Sequence, residues 1–272
     1  MVAIMVLPLS GDCTMRAPAP ARRFRVMQAL ADGVRAVPTV WAQAWGVLIF
    51  LIAVLLARQM VPDDGAAWVL DVAVGLAALI AWTGANRVAI FGRSAPRHGL
   101  GPAGLQFGPA ERHVVAALLL NLLFLTMIGA VLALVGLALF GAAGLDVEAI
   151  RARDWAAVGV PWKLAALGLV GAVLIAVPVL LIVRLALFSQ ATVGRGQPVS
   201  LNTLGIATGS FWRLLALLVI VIGPVVMALS WGAGFAGPVL AVLWLPFAAG
   251  SMSSAYRRLE YWRPDDTGGS ER

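Results

Sequence analysis

The chain has 272 residues, 61% of them hydrophobic and only 12% charged, with a formal net charge of +7. A water-soluble domain carries about 25% charged residues, so a soluble globular class is excluded; several uncharged runs approach the roughly 20 residues a helix needs to cross a bilayer. The positive balance does not point to nucleic acid, because the arginines sit at the ends of apolar runs, as at a membrane face.

Lys163 is the sole lysine, and that bias with abundant Ala, Gly and Val suggests a GC-rich bacterial genome. Cys13 is the only cysteine, so no internal disulfide is expected. Residues 1–20 lack a basic start before Met1–Leu9, which argues against a signal peptide. Asp12 before Cys13 argues against a lipoprotein box. The segment is read as disordered or as a mis-assigned start, with Met15 as the alternative initiator.

Residues 21–37 predict an amphipathic helix. Met27, Leu30, Val34, Val37 and Trp41 form the apolar stripe, and Arg22, Arg25, Gln28, Asp32 and Arg35 the polar one. Such a helix lies in the headgroup layer or packs on the ends of the spans. The six-span membrane domain is expected over 21–260. Its first span runs about 40–57, with Trp41 and Trp45 as interfacial anchors. The second runs about 66–90 and holds Asp71 near its start. An intramembrane acid is a functional candidate; a solvated residue at a helix end is the alternative.

The Gly/Pro-rich stretch 93–113 reads as a surface loop with one interfacial turn. A third span falls in 114–140, where Gly129, Ala130, Ala133 and Gly136 suit close helix approach. Residues 141–163 form a nearly neutral loop with a short surface helix over 147–155. The fourth span is about 164–183, the fifth 214–230 and the sixth 239–255, separated by a Gly-rich hairpin at 231–238. Pro178, Pro224 and Pro246 lie inside these spans and are expected to kink them. The tail 261–272 reads as disordered. The fold class is therefore all-α, a polytopic bundle of six transmembrane helices with cytoplasmic amphipathic segments.

One side of this arrangement gathers Arg16 to Arg35, the 87–112 and 184–213 loops, and Arg257, Arg258 and Arg263. The other has Arg58, Arg151, Arg153 and Lys163 offset by five carboxylates. The positive-inside rule makes the first side cytoplasmic, with both termini inside. A bacterial inner membrane is the expected location.

Two stretches resemble each other, through an internal duplication or through chance matching in a chain rich in Leu, Ala and Val. Arg87-Val-Ala-Ile-Phe91 matches Arg184-Leu-Ala-Leu-Phe188, and Gly108-Pro-Ala-Glu-Arg112 answers Gly209-Ser-Phe-Trp-Arg213. Each pair brackets a loop on the basic side, so any repeat is parallel. Arg87, Arg112, Arg184 and Arg213 form the candidate site. Guanidinium forks match phosphate geometry, and anionic lipid headgroups are the expected ligand class; snorkelling arginines that only set topology are the alternative. Phe211 and Trp212 are expected as interfacial anchors, Phe211 packing under the 200–209 segment and Trp212 facing lipid or the interface.

Gly209-Ser-Phe-Trp-Arg-Leu214 resembles the G-x-F-W-R-L that opens a span in the glycerophosphoryl diester phosphodiesterase membrane-domain family and related uncharacterised bacterial multi-pass proteins. Arg184-Leu-Ala-Leu187 is similar to that family's R-L-x-L, and Tyr256-Arg-Arg-Leu259 to its Y-R-x-L. The chain departs from the family at Thr203–Thr208, which lacks its Ser-Trp-x-Leu-Thr-Arg, and at Gln190, where the family has proline. The resemblance implies a membrane module that accompanies a separate soluble phosphodiesterase barrel, for which this chain has no room.

Catalytic signatures are absent from the sequence: no phosphate loop, no H-E-x-x-H and no G-x-S-x-G. Glu111 beside His113 could form an acid–base pair, or merely open a helix at the interface. His98 and His113 are the only histidines, too few for a metal site. No cofactor and no metal are expected. The expected function is a non-catalytic integral membrane module that binds anionic lipid or a membrane protein partner, with a small transporter or channel and an intramembrane enzyme as alternatives.

Overall fold

The computed structural model describes residues 24–260 apart from 63–64, 66, 145, 155–159, 200, 202, 207–208 and 231–234. The readings of 1–20, of Arg22, of Trp155 and of the tail 261–272 lie outside the described residues. Six helices are long and apolar enough to cross a membrane. The protein is a multi-pass, all-helical membrane bundle.

In chain order the helices are α1 (Val26–Met60), α2 (Ala67–Phe91), α3 (Pro109–Ala142), α4 (Val147–Ala152), α5 (Pro161–Leu185), α6 (Phe188–Arg195), α7 (Thr203–Ile206), α8 (Phe211–Ser230) and α9 (Ala236–Glu260). Two 3₁₀ turns, Gly92–His98 and Pro102–Gly104, join α2 to α3. Pro109 and Pro161 open α3 and α5, positions where a missing N–H costs nothing. Asp146 caps α4: its Oδ1 accepts the N–H groups of Glu148 at 2.8 Å and Ala149 at 3.1 Å.

The expected amphipathic segment and first span are one continuous helix, and the buried stripe is not the expected one. Met27 and Val34 are exposed, while Ala29, Gly33, Val40, Ala44, Val47 and Leu51 are buried. The reason is the close crossing of α9. A Cβ on Gly33 would run into Ser251 Oγ and the Phe247 carbonyl, and one on Gly250 would lie 2.7 Å from Ala36 Cβ and 2.9 Å from Gly33 Cα. Lipid is as apolar as leucine, so membrane helices turn small residues toward each other and large ones outward.

Helix α1 packs along α9 and α2, and α9 also along α8. Two apolar clusters result. One joins Phe24, Val114, Leu187, Leu214, Met252 and Tyr256; the other joins Val40, Val47, Leu48, Ala81, Val88 and Val242. Trp41 packs on the second cluster, whereas Trp45 is exposed. Helices α3 and α5 flank this core and leave most of their large side chains exposed.

Helices α5, α8 and α9 run through Pro178, Pro224 and Pro246. The non-helical residue inside a span is Ala44 of α1 (φ −119°, ψ 18°), and there the α2–α3 connection docks. Gly104 (φ +80°) abuts Ala44 and Val47, and a Cβ on it would meet Ala44 Cα at 2.9 Å. Gln43 Nε2 donates to the Gly92 carbonyl at 3.2 Å. The stretch read as a surface loop is therefore folded onto the bundle, with Ala95 and Leu100 buried. Likewise the 184–213 connection is not a simple surface loop: Ser189 to Val193 of α6 are buried.

Candidate functional site

The arginine at the end of α2 and the glutamate in the first turn of α3 meet inside the protein. Arg87 and Glu111 side chains are 4% and 1% exposed, and Arg87 Nη2 donates to Glu111 Oε1 at 3.1 Å. Arg87 Nη1 donates to the Gly99 carbonyl at 2.6 Å. Gln106 Nε2 donates to the same Glu111 oxygen at 2.9 Å, and the Gly108 N–H to the other at 2.7 Å. That last bond is half of a capping box, so Glu111 serves at once as helix cap, counter-ion and anchor of the docked connection.

This arrangement corrects two expectations. Arg87 is already neutralised and buried, so it cannot receive a headgroup. Arg112 is exposed and is not brought to Arg87. Glu111 is committed to Arg87 rather than paired with His113 as acid and base.

The second hairpin behaves differently, and the two pentads differ at one telling position. Aligning Gly108–Arg112 with Gly209–Arg213 places Trp212 where the first hairpin has Glu111. Arg184, the counterpart of Arg87, therefore has no equivalent acid. Its Nε is buried without a hydrogen-bond partner among the described residues. Arg184 and Arg213 line one cavity of about 550 Å³ with Gly209, Ser210, Phe211 and Trp212. Gly209 has φ +78°, a left-handed conformation open to glycine, and it turns the chain into α8. The first turn of α8 contains no acidic residue, so its free N–H groups add positive potential at the cavity. Chemically, the site offers two guanidinium forks and a helix start, and no carboxylate lines it.

Phe211 packs on the first apolar cluster, while Trp212 is 77% exposed beside it, with ring centroids 5.1 Å apart at 73°. Asp71 is a helix-end residue rather than a deep acid. It is 59% exposed and accepts from Arg58 Nε at 2.6 Å.

Two groupings escaped sequence reading. Asn86 Oδ1 accepts from Gln190 Nε2 at 3.1 Å and Ser253 Oγ at 3.3 Å. Ser189 Oγ donates to Gln190 Oε1 at 3.0 Å and accepts from Trp82 Nε1 at 2.9 Å. This network, buried except at Trp82, ties α2, α6 and α9 together. Its signal was the run of small polar residues Ser251, Ser253 and Ser254 inside the last span. The other grouping is at the start of α1. Asp32 Oδ2 accepts from Ser254 Oγ at 2.7 Å and Arg258 Nη2 at 2.9 Å, and Arg258 Nη1 donates to Gln28 at 3.0 Å. Its signal was Asp32 on an otherwise basic helix face, opposite the Arg257-Arg258 pair. Among the described residues, no group of three or more His, Cys, Asp or Glu could hold a metal ion.

No family model, curated protein or solved structure matches this chain.

Proposed function

We propose that this protein is a non-catalytic module of a bacterial inner membrane whose Arg184–Arg213 cavity binds an anionic lipid headgroup on the cytoplasmic side. The observation that carries the reading is the pairing of two guanidinium groups in one cavity with no carboxylate to neutralise them, beside an exposed tryptophan. Arginine forks fit phosphate oxygens bidentately, and Trp rings favour the headgroup layer. The contrast with Arg87 strengthens it. Where the fold needs a buried arginine it supplies Glu111; at Arg184 it supplies none. The resemblance of Gly209–Leu214 to a membrane domain that accompanies a phosphodiesterase fits a supporting role in lipid metabolism, with the chemistry done by a partner protein.

The test is lipid retention. Purified protein is incubated with mixed phosphatidylglycerol and phosphatidylcholine, and bound lipid is counted by native mass spectrometry. Near an anionic surface each basic residue contributes about 1 kcal/mol, so Arg184→Gln with Arg213→Gln should weaken phosphatidylglycerol retention roughly thirtyfold. Phosphatidylcholine retention should stay the same. Equal retention of both lipids by the wild type, or undiminished phosphatidylglycerol in the double variant, refutes the assignment.

A further inference from the structure

A second basic cavity lies where the start of α1, the end of α2 and the end of α9 meet. It measures about 500 Å³ and is lined by Asp32, Ser94, His98, Ser254, Arg257 and Arg258, among others. A neighbouring recess of about 270 Å³ shares Asp32 and Arg257 and adds Arg35 and Thr39. It shares no residue with the Arg184–Arg213 cavity. Its volume falls in the roughly 300–1,000 Å³ range of small-molecule sites.

Charge decides what it would hold. Three guanidinium groups, from Arg35, Arg257 and Arg258, face the single carboxylate of Asp32. That carboxylate is already engaged. One oxygen accepts from Ser254 and Arg258, and the other lies 3.7 Å from Arg35. Arg258 is further pinned by Gln28. Arg257 has neither hydrogen bond nor ion pair among the described residues; the carboxylate that balances it electrostatically is the same Asp32. The cleft and the recess beside it therefore together hold two uncompensated positive charges, with Arg257 free to meet a ligand. A carboxylate would leave one of them; a dianion neutralises both. The tetrahedral phosphate monoester is the dianion whose several oxygens suit guanidinium forks. The cavity is larger than a phosphate, and its remaining wall is the stacked pair Phe91 and His98, with centroids 3.9 Å apart. That wall suits an organic body attached to the phosphate.

We infer that this cleft is a binding site for a phosphate monoester, with Arg257 as its principal ligand-contacting residue. The phosphate can arrive on a soluble ester or on a lipid headgroup, and the experiment separates the two. Full-length protein in detergent is titrated with glycerol 3-phosphate by calorimetry, and protein in phosphatidylcholine vesicles is titrated with vesicles containing phosphatidate. Saturable binding is expected for at least one probe, weakened about tenfold or more in Arg257→Gln and unaffected by Arg184→Gln. Binding of the soluble ester assigns an aqueous ligand; binding of phosphatidate alone assigns a lipid. Should Arg257→Gln fail to fold, Arg35→Gln takes its place, because that side chain is 81% exposed and its loss removes one of the two uncompensated charges. No saturable binding of either probe to the wild type, or binding indifferent to these substitutions, overturns the site.

Discussion

Arg87 and Arg184 stand in matching pentads, yet one is buried in an ion pair and the other lines a cavity. The difference lies one residue before the paired arginines, at Glu111 and Trp212. Breaking a buried ion pair from one side leaves an uncompensated charge, which costs about 3–5 kcal/mol. Arg87→Met should therefore lower the unfolding free energy by about that amount, measured by denaturant titration in micelles. Arg87→Met with Glu111→Leu should recover much of the loss, since apolar replacement of a whole buried pair is often neutral. A single variant as stable as the wild type would mean that the pair does not hold the docked connection. The convergence of Arg184 and Arg213 on one cavity was legible in the sequence. The neutralisation of Arg87 was legible only once the two pentads were compared for charge rather than for likeness. Adjacency in sequence suggests His113 for Glu111, whereas its partner lies 24 positions away.

At the scale of the helix, length and absence of charge were enough to expect six helices able to cross a membrane, because crossing hydrocarbon demands both. They could not say which face of a span meets protein. Apolar periodicity selected Met27, Leu30 and Val34, but in a bilayer a large apolar residue is equally content against lipid. The informative pattern was the small-residue one, Ala29, Gly33 and Ala36 against Gly250 and Ser251. This makes a graded prediction. Gly250→Ala places a methyl against Ala36 and Gly33, where neither backbone nor Cβ can yield, and should destabilise by about 1–3 kcal/mol. Gly129→Ala in α3 meets nothing within 4 Å and should be neutral or slightly stabilising, as alanine is the better helix former. Thermal unfolding of the two variants in the same detergent compares them directly; similar midpoints would show that the α1–α9 crossing is looser than its geometry. The folded-back connection before α3 and the buried helix α6 were illegible for a related reason. Both carry loop-like composition, Gly, Pro, Ser and Gln, and only their tertiary partners, Ala44 and Asn86, explain their burial.

For the whole molecule, the ion pairs sort by end. Arg258 with Asp32 and Arg195 with Glu260 join the start of α1, α6 and the end of α9, while Arg58 with Asp71 closes the opposite end. An even number of spans requires this: the first and last spanning helices must begin and finish on one side. The arginine distribution points to the side: under the positive-inside rule the proposed orientation puts the Asp32–Arg258 end in the cytoplasm. Cysteine labelling tests the orientation, in a background with Cys13 replaced by serine. Exposure chooses the positions. Ala95 is buried and would resist reagent from either side, but Arg97, Gln197, Gly65 and Glu148 are exposed. In intact spheroplasts an impermeant maleimide should label Gly65→Cys and Glu148→Cys at once, and Arg97→Cys and Gln197→Cys only after the membrane is opened. The reverse pattern would invert the protein and place both basic cavities outside the cell. Labelling of Arg97→Cys and Gln197→Cys from opposite sides would break the six-span topology, because both connections leave helices that finish at the same end of the bundle.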